Sequence, residues 1–117
     1  MELETRIEGD VVLLPLEGKL MGGSETNILS DQLKGLIAKG YNKIVLDFER
    51  VRWINSPSIG ILIKWLKILR ENDGDLRFTN TGDKVKYYLK ITKLMTVIKT
   101  FENPQDAVNS FLIPLSV

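Results

Sequence analysis

The stretch KIVLDFERV, residues 43–51, constrains the fold of this chain more than any other. Ile44, Leu46 and Phe48 point to one side and Lys43, Val45 and Asp47 to the other, the two-residue period of a strand. That pattern predicts a sheet with one face well buried and the other at least partly wet. A few residues later the period becomes helical. SPSIGILIKWLKILREN places Ile59, Leu62, Ile63 and Leu66 on one stripe, and Asp73-Gly74 ends it. A strand feeding a helix that returns to another strand implies a crossover, and so parallel pairing.

The alternation extends in both directions. LETRI and VVLLPLEGK, separated by Glu8-Gly9-Asp10, read as an N-terminal hairpin, with Gly9 free to take the positive φ of a tight turn. Pro15 has no N–H for a ladder and is expected at an unpaired side or a bulge. GKLMGGSETN is a loop. A helix then begins between Ser24 and Asn27, with Leu29, Leu33, Leu36 and Ile37 facing one way and Gly40 placed for a left-handed cap. DLRFTN is a short strand with Leu76 and Phe78 on one face. TGDKVKYYLKITKL is a third helix with Val85, Tyr88, Leu89 and finally Ile91 facing in. VIKTF is a last strand, and Asn103-Pro104 opens a helix that packs Ala107, Val108 and Phe111. Pro114 limits any helical extension into the tail IPLSV. The expectation is a single α/β domain over residues 1–117, ordered β-β-α-β-α-β-α-β-α. Its N-terminal hairpin leads into alternating strands and helices, and its sheet is mixed but mainly parallel, with right-handed crossovers.

Composition narrows the function. The chain has 117 residues, 44% apolar and 26% charged, enough for one buried core. A net charge of +1 provides no general field for nucleic acid, and no nucleic-acid partner is expected. The start MELETRIEGD is charged and strand-like, unlike a signal peptide, and no apolar run spans a bilayer. A cytoplasmic protein without direct membrane insertion is expected. The chain contains no cysteine and no histidine. Thiolate nucleophiles, thiolate metal sites and disulfides are excluded, as is any Ser–His–Asp triad. With no phosphate-cradling GxxxxGK[ST] or GxGxxG motif either, the expectation is a protein that is not an enzyme and uses no metal or cofactor.

The joint between the central strand and the second helix reads INSPSIG, residues 54–60. Ser56 stands where an N-cap belongs, and Pro57 would then be the first helical residue, a position where proline loses no helical hydrogen bond. Helix initiation alone accounts for this pattern. Yet a serine at a strand-to-helix joint also lies beyond the carboxyl end of a strand, where open α/β sheets present their sites. A phosphate there would add about −1.5 to −2 charges, which a helix N-terminus favours. A capping serine can also be a phosphoacceptor.

These segments together resemble the STAS domain, the anti-sigma factor antagonist family, over nearly the whole chain. LEGKL is similar to the family's G-x-L loop. KIVLDFERVRWINSPSIGILI resembles its signature, an apolar strand ending in Leu-Asp-hydrophobic, then an Asp-Ser pair and a small-residue helix start. The resemblance implies a sheet with helices mostly on one face and a regulator switched by serine phosphorylation. The implied partners are a serine kinase that doubles as anti-sigma factor and a phosphatase that resets the switch. Ser56 is the implied phosphoacceptor and Ser58 the second candidate. The implied partner-binding rim comprises Gly18, Lys19, Met21, Asn55, Ser56, Pro57, Ser58, Gly60, Thr79 and Asn80. Asn55 replaces the family's acidic residue before the serine, Met21 an acid after G-x-L, and Pro57 and Ser58 follow the acceptor. The alternative is a STAS scaffold that is never phosphorylated, a subunit of a membrane transporter or sensory complex.

Other features have simpler expected roles. Ile61, Trp65 and Ile68 lie opposite the core stripe of the second helix and should be covered by neighbouring helices, the alternative being an exposed protein-binding patch. Trp53 is expected in the core. Gly22-Gly23 reads as a flexible connection rather than a phosphate cradle, and Lys84, Lys86, Lys90 and Lys93 as a solvated face.

Overall fold

The computed structural model describes residues 5–112. The strands are β1 (Arg6–Glu8), β2 (Val11–Leu20), β3 (Lys43–Ile54), β4 (Asp75–Thr79) and β5 (Thr100–Phe101). The helices are α1 (Ser24–Ala38), α2 (Ser56–Glu71), α3 (Gly82–Ile91) and α4 (Pro104–Leu112), with a 3-10 turn at Leu94–Thr96. The order matches the one expected, and Leu3, Glu4 and the tail IPLSV lie outside the described residues.

The sheet runs β1-β2-β3-β4-β5, antiparallel between β1 and β2 and parallel elsewhere. A sheet that grows in one direction by right-handed crossovers places its crossover helices on one face. The core agrees. Val12, Leu14, Ile44, Leu46, Phe48, Leu76 and Phe78 form one cluster with Leu29 and Leu33 of α1, Leu62 and Leu66 of α2, and Val85 and Leu89 of α3. The opposite face was expected to be partly wet. Instead Val11, Leu13 and Val45 meet Ala107 and Val108 of α4 in a second, smaller cluster. Arg77 fastens that helix from below. It donates from Nη1 to Ser110 Oγ at 2.6 Å, lies 3.8 Å from the Phe111 ring centroid, and its Nε holds Asp75 at 3.0 Å.

Local chemistry sets the boundaries. Gly9 turns the hairpin at φ +63°. Pro15 sits beyond the last β1 partner, Leu13, and where the register with β3 slips, so its missing N–H leaves no gap in a ladder. Gly40, at φ +93°, closes α1 with paired bonds, Gly40 N–H to Ile37 O and Tyr41 N–H to Leu36 O. Asp73 closes α2 in the same way at φ +62°.

Two expected segments shorten. VIKTF pairs only through Thr100 and Phe101, while Ile98 drops into the core from the preceding turn. Ile91 is 56% exposed because α3 ends there and the chain turns away. Trp65 is buried, its indole N–H donating to Ser30 Oγ of α1 at 3.2 Å, and Ile61 and Ile68 are half-buried against the core. Neighbouring elements cover the back of α2, as expected.

The strands differ in reach. β3 pairs with β2 as far as Ile54, but with β4 only through Asp47. Residues 48–54 therefore overhang the rest of the sheet on that side.

Candidate functional site

Because β2 and β3 are parallel and stay paired to Leu20 and Ile54, they end level and deliver Met21 and Asn55 side by side. The two exits are then tied together. Asn55 N–H donates to Leu20 O at 3.1 Å, and the Asn55 side-chain amide donates to Met21 O at 2.9 Å. Its other end, Oδ1, accepts from Ser58 N–H at 3.1 Å. Asn55 is thus the N-cap of α2, with extended φ and ψ of −124° and 171°.

This corrects the expected role of Ser56. It is the first helical residue, not the cap, and Pro57 is the second. Both are exposed, and the Ser56 hydroxyl makes no hydrogen bond among the described residues. The first turn of α2 carries no acidic side chain, so the positive end of its dipole is uncompensated where Ser56 stands.

Ser58 has the opposite environment. It is 1% exposed, and its Oγ lies 3.2 Å from Thr26 Oγ1, which also accepts from Gly22 N–H at 3.0 Å. Ser58 therefore belongs to the internal lock between the two loops and is neither an accessible acceptor nor part of a rim. Thr79 is likewise corrected. It is fully buried with its hydroxyl unpartnered, and it pairs with Asp47. Asp47 lies seven residues before Ile54, about 23 Å along an extended strand. Asn80, half-buried at φ +53°, donates to Asp47 Oδ1 at 3.1 Å and shares the lining of a small cavity with Trp53 and Ile54. Thr79 is not brought to the joint, whereas Asn80 lies across that cavity from the end of β3.

The remaining expected positions are distributed around it. Met21, Lys19 and Gly60 are exposed, and Gly18 is half-buried at φ +87°. Glu25 and Thr26 were missed by sequence reasoning. Glu25 Oε2 accepts from Lys19 N–H at 2.7 Å, in space that a Cβ on Gly18 would invade at 2.6 Å. The left-handed φ of Gly18 accounts for the glycine, since the exposed glutamate could shift. A signal for Thr26 existed: it continues the apolar stripe of Leu29 and Leu33, so its hydroxyl had to turn inward and find a partner. Trp53, expected in the core, is 46% exposed because it lies on the overhang of β3 that β4 does not flank.

Among the described residues no cluster of three or more histidine, cysteine or acidic side chains could hold a metal ion, and no helix is long and apolar enough to cross a membrane. The arrangement is a hydrogen-bonded corner that leaves the Ser56 hydroxyl exposed and without a partner among the described residues.

A mixed five-stranded sheet in sequential order, with a serine-bearing corner after its central strand, defines a known class of domain. The family model of the STAS domain matches residues 2–107, and the chain belongs to that family. Among individual relatives, a protein of Thermotoga maritima provisionally named an anti-sigma factor antagonist is 29% identical over 109 residues, 88% of this chain and 91% of that one. A crystal structure of an anti-sigma factor antagonist from the same species, also provisionally named, superposes with a TM-score of 0.84 at 26% identity and covers 92% of each chain. At the level of fold alone, the anti-sigma factor antagonist SpoIIAA of Bacillus in its phosphorylated form gives 0.72 at 15% identity, over 92% of this chain and 97% of that one. A sulfate transporter family protein of Wolinella succinogenes gives a TM-score of 0.73 at 15% identity, over 90% and 87%.

Proposed function

We propose that this chain is a binding switch of the anti-sigma factor antagonist type, set by phosphorylation of Ser56. The observation that carries this reading is the contrast at the joint. Asn55 does the capping and Ser58 is locked inside, which leaves the Ser56 hydroxyl exposed and unengaged on a rigid corner. In the transfer, Ser56 Oγ forms a bond to the γ-phosphorus of ATP, the bond to the ADP oxygen breaks, and the hydroxyl proton passes to a base of the kinase. The product carries about −1.5 to −2 charges at neutral pH. The α2 N-terminus, with no acidic residue in its first turn, accommodates that anion, so the fold persists while the surface changes. A partner fitted to the uncharged Ser56 hydroxyl among Lys19, Met21, Asn55, Pro57 and Gly60 then meets an anion and a larger group.

The relatives named as anti-sigma factor antagonists support an anti-sigma factor as the partner; in this proposal the same partner is the serine kinase, and a phosphatase reverses the step. The test is incubation with a cognate kinase of that type and ATP, followed by mass spectrometry. One phosphate on Ser56 is expected, lost in Ser56→Ala, with the circular dichroism of the phosphorylated protein unchanged. Phosphate on another residue, with Ser56→Ala modified like the wild type, defeats the reading.

The neutral Asn55 and the stiff Pro57 beside the serine favour a second reading, a STAS scaffold subunit of a transporter or sensory complex that is never phosphorylated. Under it, Ser56→Asp leaves co-purification with the partner unchanged.

A further inference from the structure

Trp53 and Tyr87 stand open to solvent, 46% and 61% exposed, although large aromatic side chains are costly to leave wet. They face one another across an open groove of about 410 Å³ between the overhang of β3 and α3, with Ile54 and Tyr88 also in its walls. Tyr87 leans edge-on against Tyr88, ring centroids 5.9 Å apart, which fixes one wall. Ile91, 56% exposed, lies one turn further along α3 from Tyr87 and prolongs the apolar strip.

Around this strip lysines outnumber acids. Lys84 and Asp83 line the groove itself, and Lys90 and Lys93 follow along α3 and the turn after it, whereas Lys86 lines a separate pocket with Glu49 and Glu102. Lys84 Nζ lies 4.1 Å from the centroid of the Trp53 ring, a cation held over the mouth of the groove. An apolar strip flanked by more lysines than acids is complementary to a helix with apolar residues a turn apart and carboxylates on either side. Two copies set face to face would oppose Lys84, Lys90 and Lys93 of each with only Asp83 of the other.

We propose that this groove docks an acidic amphipathic helix of the protein that modifies Ser56. One apolar side chain enters between Trp53 and Tyr87, displacing Lys84 from the ring to pair with a carboxylate. A second covers Ile91. Three residues separate Trp53 from Ser56, at most about 11 Å of chain, so the owner of the docked helix has its active centre within reach of the serine. The identity of the partner rests on the Ser56 reading, whereas the chemistry of the groove does not.

The test uses the full chain and a synthetic helix-forming peptide of alanine, leucine and glutamate with two leucines one turn apart, alongside its lysine-for-glutamate counterpart. Trp53 fluorescence reports binding against the constant signal of buried Trp65. The acidic peptide should shift the emission and saturate, with affinity falling as salt rises, and the basic peptide should not bind. Tyr87→Ala and, separately, Lys84→Glu should weaken binding at least tenfold. Ser56→Ala should bind the peptide like the wild type. With the kinase itself, Tyr87→Ala should raise KM for phosphorylation of Ser56 about tenfold and leave kcat alone. No saturable binding, equal binding of both peptides, or dimerisation of the chain that Tyr87→Ala abolishes would overturn the proposal. Peptide binding that survives while phosphate goes elsewhere would sustain the groove and remove the Ser56 reading instead.

Discussion

Replacing Asn55 with alanine removes two different bonds at once, and their separate contributions can be worked out. The side-chain oxygen satisfies Ser58 N–H, and the amide nitrogen satisfies Met21 O. Loss of an N-cap costs about 1 kcal/mol. Loss of the neutral, exposed hydrogen bond to Met21 O costs about another 0.5–1 kcal/mol. Asn55→Ala should therefore lose about 1.5–2 kcal/mol, which in a domain of this size lowers Tm by roughly 6–8 °C. Asn55→Asp keeps the cap and adds a negative charge at the helix N-terminus, a gain of about 0.5 kcal/mol, but loses the bridge to Met21. The aspartate variant should end within about 0.5 kcal/mol of the wild type. Ser56→Ala, which removes a hydroxyl that touches nothing, should change stability by less than about 0.5 kcal/mol. Urea denaturation of the three variants, followed by circular dichroism, measures all of this. If Ser56→Ala cost as much as Asn55→Ala, the cap would be the serine and the account of the corner would be wrong. If the alanine and aspartate variants fell equally, Oδ1 would not be capping.

Three further outcomes are expected. A Cβ on Gly74 would lie 1.8 Å from the carbonyl oxygen of Asn42, so Gly74→Ala should destabilise by roughly 3 kcal/mol, whereas Gly23→Ala, with open space around it, should not clash; thermal melts separate the two. Asp73→Gly should stabilise by about 0.5–1 kcal/mol in chemical denaturation, because the α2 cap holds a non-glycine residue at φ +62°. The hydrogen bond from Lys43 at 2.6 Å holds the Asp10 carboxyl below its ordinary pKa. A depressed folded-state pKa contributes stability that is complete above the unfolded value and disappears as pH falls through the folded one. Asp10→Asn should thus flatten the acid limb of the stability profile below the ordinary aspartate range, and added salt should shrink the difference, since Asp10 is exposed.

The periodicity of KIVLDFERV and of the three apolar helix stripes was enough to read the element order, because burial on one face imposes those periods directly. What periodicity could not carry was contact between distant elements. Nothing local to VIKTF limits its pairing to two residues; β4 runs on opposite residues 97–99, but the preceding 3-10 turn sends Ile98 into the core instead. The wet position of Trp53 likewise depends on a distant element, a neighbouring strand ending seven residues short of β3. At the joint, Ser56 and Asn55 are both good caps by residue type, and only the helical phase decides between them. The stripe legible in the sequence, Ile59, Leu62, Ile63 and Leu66, leaves Ser56 and Ser58 at similar angles to it, and the burial of Trp65 and Leu69 is what makes Ser58 the inward serine. Glu25 reached the corner through a backbone N–H six residues away, and no spacing rule foretells such a contact.

The unequal reach of the strands has a consequence for how such a protein can change. Residues 48–54 project past β4 like a cantilever, and the corner rides at its free end. Most side chains near that end, Arg52, Trp53, Ser56 and Pro57 among them, are outside the packed layers. Their chemistry can drift over generations with little toll on folding, as long as Ile54, Ser58 and the asparagine clasp remain. A family built on this plan can acquire new associates by rewriting the tip of one beam.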